Sequence, residues 1–176
     1  MELALNEIKI QAKKLFKALK VDSALQNTLQ PSLQKLALDN VEDLKLKHCL
    51  KLVAQQLGFV NWQEAQDILS GDTTPREVSN MGTYFYPAGC GAFINEWFSD
   101  YQQAKLVLAK QPSSKWLLPY KHQFVIVGAD YINVFKLDQK LMHLWSEIEH
   151  DMVSSYGTPM WDQLSCAVIK TRQKAF

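Results

Sequence analysis

The segment from Leu57 to Trp62, with the sequence LGFVNW, limits the fold more than any other part of this chain. Before it, leucine, valine and alanine recur every three or four residues, the spacing of one buried helical face. Gly58 is the usual residue for a left-handed helix C-terminus, and Asn61 is a good N-cap for a following helix. The segment therefore predicts a helix, a tight turn and a second helix, with Phe59 and Trp62 packed between them.

Two further helices are predicted before this turn. The first covers residues 5–20, because its apolar residues fall on one face: Leu5, Ile8, Ala12, Leu15, Phe16 and Leu19. A turn is predicted at Gln30-Pro31, then a short helix from Ser32 to Leu38, and Asp39 or Asn40 is expected to begin the helix that ends at Gly58. Residues 1–72 are thus predicted to form a helical module.

The composition of the chain changes after residue 72. Residues 1–72 contain nine basic residues, nine acidic residues and three aromatic residues, whereas residues 73–176 contain sixteen aromatic residues. The turn-forming residues at 70–75 lie between the two parts. We therefore predict two domains, a helical module over 1–72 and an aromatic-rich domain over 73–176.

The second domain is predicted to mix helices with a small sheet. Helices are expected at 74–77, 92–98, 100–110 (with Ser99 as its cap), 130–135, 138–152 and 158–173; strands are expected at 82–87, 116–120 and 122–127. Proline ends a predicted strand, and β-branched residues, which favour extended backbone, lie within the strands. The fold class that follows is α+β and predominantly helical, with a sheet of two or three strands in the second domain.

Charge and cysteine content exclude several kinds of protein. The chain of 176 residues has a formal net charge of +1, so no overall field attracts it to nucleic acid or to anionic lipid. Its three cysteines contain no CxxC pair, which disfavours a disulfide framework and a structural zinc site. No apolar run is long enough for a membrane span. These features predict a cytoplasmic protein without membrane attachment, and no cofactor is predicted.

Two motifs in the first part resemble a known domain. The pattern IKIQAKKLFKAL, followed by LKLKHCLKLVAQQLGFVNWQEA, resembles the small helical domain attached to bacterial proteins of the glyoxalase superfamily. The resemblance covers about 65 residues and is most specific at Gln11-Ala12-Lys13, Gly58-Phe59 and Trp62. It implies a helical domain of bacterial type but no activity. The residues after 72 are not recognised, and their three histidines do not form a glyoxalase metal-ligand pattern.

A cysteine between glycines is the first candidate for chemistry. Cys90 lies in PAGCGAF, directly before a predicted helix, whose N-terminus would lower the pKa of the thiol and could hold an oxyanion. His122 would be the base for this nucleophile, and Asp130 would orient the imidazole. This arrangement predicts a thiol-dependent hydrolase or transferase. A buried, inert cysteine is the alternative interpretation.

Aromatic residues give a second candidate site. Tyr84, Tyr86, Trp97 and Tyr120 lie on elements expected around the sheet. Tyrosine and tryptophan combine a large apolar surface with a polar tip, and groups of them line ligand pockets and interfaces. These four residues are predicted to bind a ligand.

Two other patterns have weaker functional interpretations. Lys9, Lys13, Lys17 and Lys20 share a face of the first helix and could contact phosphates, or could form an ordinary solvated face. His143, Glu147 and His150 share a predicted helical face, but no further ligand is indicated, so no metal site is predicted.

The sequence therefore favours a non-catalytic protein that binds a small molecule or a protein partner. Thiol catalysis by Cys90 and His122 is the alternative, and nucleic-acid binding through Lys9 to Lys20 is a weaker one. The helix after Gly58 contains Glu64 and Asp67 and no basic residue, which disfavours specific DNA recognition. A homo-oligomer is left open.

Overall fold

A computed structural model describes residues 2–38, 40–71, 79–137 and 139–172 of the chain. The α-helices in these ranges are α1 (Leu3–Leu19), α2 (Ser23–Gln34), α3 (Leu46–Gln56), α4 (Trp62–Ser70), α5 (Tyr101–Leu108), α6 (Ala129–Asn133), α7 (Gln139–Glu147) and α8 (Pro159–Thr171). Short 3₁₀ helices occupy Val41–Asp43 and Cys90–Ala92. The strands are β1 (Glu96–Phe98), β2 (Lys115–Tyr120) and β3 (Gln123–Gly128). The predicted fold class, predominantly helical α+β, is confirmed.

The described strands form one antiparallel sheet in the order β1-β3-β2. β2 and β3 are joined by a two-residue turn in which Lys121 has a left-handed φ of 49°. Val125 pairs with Trp97 of β1 on one side and with Leu118 of β2 on the other. Because paired residues project to the same face, these three side chains line one surface of the sheet.

Both faces of the sheet are covered. Leu117 and Ile126 form a small cluster with Ala104 of α5 on one face. On the other face, Leu118 and Val125 belong to the main core. Burial on both sides explains why β2 and β3 are continuous apolar runs rather than alternating ones.

The main core includes buried residues from both predicted domains, from Ala4 of α1 to Ile169 of α8. The predicted boundary at residues 72 and 73 lies outside the described residues, as does the helix expected at 74–77. The division into two domains therefore stays a prediction, but the buried side chains before and after it form one continuous cluster. None of the helices in the described ranges combines the length and apolar character needed to span a lipid bilayer.

The first and last helices are joined by polar bonds as well as by apolar packing. The buried carboxylate of Asp162 in α8 accepts the backbone N–H groups of Leu3 and Ala4, each at 2.9 Å, and so caps the N-terminus of α1. Further along, the amide of Gln11 donates to the carbonyl of Ile169 at 3.3 Å. Gln11 belongs to the Gln-Ala-Lys motif, and in this fold its side chain connects α1 to α8.

The Gly58 turn has the predicted form and also holds the next part of the chain. Gly58 has a φ of +89°, and Asn61 caps α4 by accepting the N–H of Glu64 at 2.9 Å. The carbonyl of Leu57 accepts the N–H of Thr83 at 2.6 Å. A side-chain Cβ at Gly58 would lie 2.5 Å from Thr83. Only glycine therefore permits this close approach of the two backbones.

The predicted turn at Gln30-Pro31 and the helix from Ser32 to Leu38 are wrong. α2 continues through Pro31 to Gln34. Leu25, Leu29 and Leu33 follow each other at four-residue steps and contact the core, so continuing the helix keeps them packed. The proline lies near the end of α2 and removes one internal hydrogen bond, a cost that this packing outweighs.

Two predictions between residues 82 and 98 are also wrong. Residues 82–87 form a turn rather than a strand, closed by the Tyr86 N–H, which donates to the Thr83 carbonyl at 2.8 Å. The adjacent side chains of Tyr84 and Phe85 are both buried in the main core, whereas a strand would project them to opposite faces. Residues 92–98 form the end of a 3₁₀ helix and β1 instead of a helix, because Glu96–Phe98 pair with β3.

Two helix ends differ from the predictions. Asp100, not Ser99, caps α5 by accepting the N–H of Gln103 at 2.7 Å. α7 ends at Glu147, well before the predicted Met152. Glu149 and His150 then adopt left-handed φ angles of 51° and 61°, which turn the chain so that Leu117 can donate to the His150 carbonyl at 2.9 Å.

A substitution at Gly58 should destabilise the protein strongly. Gly58→Ala combines a left-handed φ, which costs about 1–2 kcal/mol for a residue with a Cβ, with the contact to Thr83. We expect a loss of about 3 kcal/mol or more in the free energy of unfolding, measured by urea denaturation.

Substitutions at two other glycines show how much of the loss at Gly58 comes from backbone strain and how much from the steric clash with Thr83. Gly89 has a φ of +88° but no atom within 4 Å of an added Cβ, so Gly89→Ala should cost only the strain, about 1–2 kcal/mol. Gly128 has neither constraint, and Gly128→Ala should cost less than about 1 kcal/mol. Equal losses at all three positions would contradict the packing of Gly58 against Thr83.

A buried carboxylate fixes the segment after α7. Asp151 accepts the hydroxyl of Tyr101 at 2.7 Å and the N–H groups of Val153 and Ser154 at 3.0 Å. Burial raises the pKa of Asp151, although these bonds and the nearby charge of Lys105 favour the ionised form. The folded chain therefore binds a proton at Asp151 more readily than the unfolded chain does.

This raised pKa predicts a specific pH dependence. The contribution of Asp151 to the free energy of unfolding should fall as pH rises from its ordinary pKa of 3.8 through the raised value. Asp151→Asn removes this titration, so the variant should gain stability relative to the parent protein over the same range. Urea denaturation between about pH 4 and pH 7 measures the difference. A difference that stays constant, or changes in the opposite direction, would contradict the assignment.

Candidate binding surface

Three of the four aromatic residues predicted to bind a ligand lie together at the surface. The ring centroid of Tyr86 lies 5.7 Å from that of Trp97 and 5.1 Å from that of Tyr120, and Trp97 and Tyr120 are 5.3 Å apart. Trp97 is 41% exposed, and the two tyrosines are partly buried. We call these three residues the aromatic surface.

Different elements bring these rings together. Trp97 lies on β1 and Tyr120 at the end of β2, both on the sheet face that includes Leu118 and Val125. The turn at 83–86 carries Tyr86. The segment before this turn fixes its position, because the Lys121 carbonyl accepts the Met81 N–H at 2.9 Å and the Lys121 N–H donates to the Gly82 carbonyl at 2.8 Å. The 83–86 turn is thereby held beside the hairpin end.

Tyr84 does not belong to this surface. Its side chain is fully buried in the main core, and its hydroxyl bonds to the hydroxyl of Ser165 at 3.2 Å. Burial raises the pKa of Tyr84. This residue connects the 83–86 turn to α8 and is not accessible to a ligand in this structure.

Cys90 lies next to Tyr131 and begins a short 3₁₀ helix rather than a long helix. It begins the 3₁₀ helix Cys90–Ala92, and its side chain is fully buried. Burial raises the pKa of the thiol, while a hydrogen bond with Tyr131 and the charge of Arg172 oppose the shift. The net direction is opposite to the one that a thiolate nucleophile requires.

Tyr131 connects this cysteine to the rest of the site. Its hydroxyl donates to the carbonyl of Phe85 at 2.7 Å, and its ring lies 6.1 Å from the ring of Tyr86. Burial raises the pKa of Tyr131, and the neighbouring Cys90 adds to the shift. The hydroxyl therefore stays protonated and acts as a fixed donor that holds the 83–86 turn.

Arg172, directly after α8, reaches the same turn. Its Nη1 donates to the carbonyl of Tyr86 at 3.3 Å and its Nη2 to the carbonyl of Thr83 at 3.5 Å. The side chain is partly buried, and burial lowers the pKa of the guanidinium, while Tyr131 and Cys90 oppose that shift. Within the described part of the chain, no carboxylate forms an ion pair with Arg172.

The two proposed partners of Cys90 lie on the surface. His122 occupies the exposed β2–β3 turn, and Asp130 is exposed in the first turn of α6. Neither is among the groups that shift the pKa of Cys90, which are Tyr131 and Arg172. The assignment of Cys90, His122 and Asp130 to catalysis stays a prediction that this geometry does not favour.

The remaining sequence candidates are separate from one another. Lys9, Lys13, Lys17 and Lys20 are exposed on α1, and the Lys20 ammonium lies 4.3 Å from the ring of Phe16. Nucleic-acid binding through this face stays a prediction.

Cys49 and Cys166 are buried free thiols, and burial raises the pKa of each, that of Cys49 to about 11.

The histidines near the end of α7 do not share a helical face. His143 and Glu147 lie 3.3 Å apart on α7. His150 follows the helix and stacks on Trp116 with ring centroids 4.8 Å apart. It lines an open groove of about 560 Å³ between α5 and the segment after α7. The described residues contain no group of three or more side chains suited to hold a metal ion.

Sequence reasoning did not identify Arg172 or its link to Tyr131. The segment Thr171-Arg172 resembles the basic, solvated end of many helices, where a cation balances the helix dipole. The tertiary structure places α8 so that Arg172 contacts the 83–86 turn, which the sequence alone does not reveal.

Comparisons with known proteins add no relative. No protein-family model, no curated protein and no solved structure matches this chain. The resemblance of the first 65 residues to the helical domain of glyoxalase-like proteins therefore stays a prediction.

The buried position of Cys90 predicts low thiol reactivity. We expect iodoacetamide at neutral pH to modify Cys90 at least about tenfold more slowly than it modifies glutathione, because the thiol is inaccessible and its pKa is raised. Peptide mass spectrometry measures the rate. In denaturing urea, Cys90 should react at the rate of a free thiol. Modification of native Cys90 as fast as glutathione would contradict this description and favour the thiol-dependent activity.

Proposed function

We propose that this protein is a non-catalytic binding protein, and that the aromatic surface of Tyr86, Trp97 and Tyr120 receives a small molecule with a flat ring system. The observation that supports this proposal is the convergence of the three rings with Trp97 exposed. An exposed tryptophan supported on two sides by packed rings offers a rigid apolar platform, and its ordering costs little conformational entropy on binding.

The contacts around the rings support a small ligand. The aromatic surface is formed by one turn and two strands that are fixed to each other through backbone bonds, so its shape exists before binding. The rings lie 5.1–5.7 Å apart at steep angles, and none of these three pairs is stacked face to face. The open face of Trp97 is therefore available for stacking with a planar group.

The other proposals have less support. Thiol chemistry needs an accessible thiolate, whereas Cys90 is buried with a raised pKa. Nucleic-acid binding would use the exposed lysines of α1, which lie in a module of balanced charge. A cytoplasmic location is proposed because three free thiols fit a reducing compartment. Protein partners and homo-oligomers stay predictions.

A fluorescent probe tests ligand binding at the aromatic surface directly. N-phenyl-1-naphthylamine is neutral and planar in its naphthalene part, and its emission rises when it enters an apolar site. We expect Trp97→Ala to weaken its binding about five- to tenfold, because a lost ring contact removes about 1–1.5 kcal/mol. Fluorescence titration measures the dissociation constant.

A matched control uses another exposed apolar residue. Leu106 in α5 is 66% exposed, away from the rings, and Leu106→Ala should leave probe affinity unchanged within twofold, or about 0.4 kcal/mol. If Trp97→Ala has no effect, or if both variants weaken binding equally, the aromatic surface is not the binding site.

A further inference from the structure

The geometry points to an anion as the ligand of the aromatic surface, with Arg172 as the residue that binds its negative group. This inference rests on the proposed function and adds the chemical class of the ligand. The expected ligand is a flat ring that carries a carboxylate, sulfonate or phosphate.

The hydrogen bonds of Arg172 leave most of its donors unused. A guanidinium has five N–H donors, and within the described residues this one makes two bonds, to carbonyls at 3.3 and 3.5 Å. Both are longer than the usual N–H···O distance of about 2.9 Å. The Arg172 guanidinium is thus held against the 83–86 turn, and its other N–H donors can bind an anion.

The charge of Arg172 is also uncompensated within the described residues. A cation that is partly removed from water loses solvation, and an ion pair ordinarily offsets that loss. No carboxylate forms such a pair here. The neighbouring groups are instead a neutral phenol and a neutral thiol, those of Tyr131 and Cys90. An incoming anion would supply the missing partner.

The position of Arg172 connects this charge to the rings. The carbonyl that it contacts belongs to Tyr86, whose ring is part of the aromatic surface. A second cation, Lys121, has its ammonium 5.6 Å from the centroid of the Tyr120 ring. Two positive groups therefore lie close to residues that form the platform.

The nearest carboxylate along β1 is directed elsewhere. Glu96 precedes Trp97, and consecutive strand residues project to opposite faces. Its carboxylate accepts the amide of Gln111 at 3.3 Å. The two charged groups that the described residues place against Tyr86 and Tyr120, Arg172 and Lys121, are both positive, which favours an aromatic anion over an aromatic cation.

Two matched probes separate charge recognition from ring recognition. 8-Anilinonaphthalene-1-sulfonate differs from N-phenyl-1-naphthylamine only by its sulfonate. We expect Arg172→Met to weaken sulfonate-probe binding about tenfold, the effect of losing a hydrogen bond to a charged group, and to change neutral-probe binding less than twofold. Lys170→Met removes a charge from the exposed side of α8 and should change neither.

A conservative variant guards against a purely structural effect. Arg172→Lys retains the charge but loses the fork, so sulfonate-probe affinity should fall less than in Arg172→Met. If both Arg172 variants lose both probes equally, Arg172 serves the fold and the inference is wrong. If Arg172→Met leaves sulfonate-probe affinity unchanged, the inference is also wrong.

The outcomes distinguish this inference from the proposed function. If Trp97→Ala weakens the neutral probe and Arg172→Met does not weaken the sulfonate probe, the platform exists without anion recognition. If Trp97→Ala affects neither probe, the proposed function itself fails. Displacement of the sulfonate probe by 1-naphthoate or 1-naphthyl phosphate shows which anionic group binds, and displacement by neither would contradict the inference.

Discussion

Helix α8 packs along α1, and this contact organises the remaining structure. Asp162 closes the N-terminus of α1 from the side of α8, and Gln11 adds a bond near the other end of the same contact. The N–H groups at a helix N-terminus lack partners within the helix, and the N-cap residue of α1, Glu2, does not bond to them through its side chain. The carboxylate of Asp162 provides that cap instead. The same helix α8 then presents Ser165 to Tyr84 and places Arg172 beside Tyr86. The contact between α1 and α8 therefore also positions the 83–86 turn that carries Tyr86.

The 83–86 turn receives bonds from three separate regions. Leu57 binds it from the Gly58 turn, Tyr131 from α6 and Arg172 from the end of α8. Each contact satisfies a backbone group of a segment that is neither helix nor strand, where unpaired polar groups would be costly. The Tyr86 ring is positioned by these bonds rather than by regular secondary structure. A binding surface built in this way is rigid only when the whole core is assembled.

Local chemistry predicted much of this fold and less of the site. Gly58 and Asn61 act as the sequence indicated, at a left-handed turn and an N-cap. The strands near 116–127 followed from β-branched and apolar runs. The turn at 83–86 could not be predicted, because long-range bonds to Leu57 and Tyr131 decide it. Residue type suggested Tyr84, Tyr86, Trp97 and Tyr120 as a group around the sheet, but not that Tyr84 is buried against Ser165 of α8 or that Arg172 contacts the 83–86 turn.

Ligand binding at the exposed ring of Trp97 can be followed by fluorine NMR. The protein contains five tryptophans, and replacing each with 5-fluorotryptophan gives one signal per ring. The signal of Trp97 is assigned by its loss in Trp97→Phe. On titration with 8-anilinonaphthalene-1-sulfonate, we expect a saturating shift of the Trp97 signal, while the signals of buried Trp145 and Trp161 stay fixed. A shift confined to other tryptophans, or no saturating shift at Trp97, would contradict it.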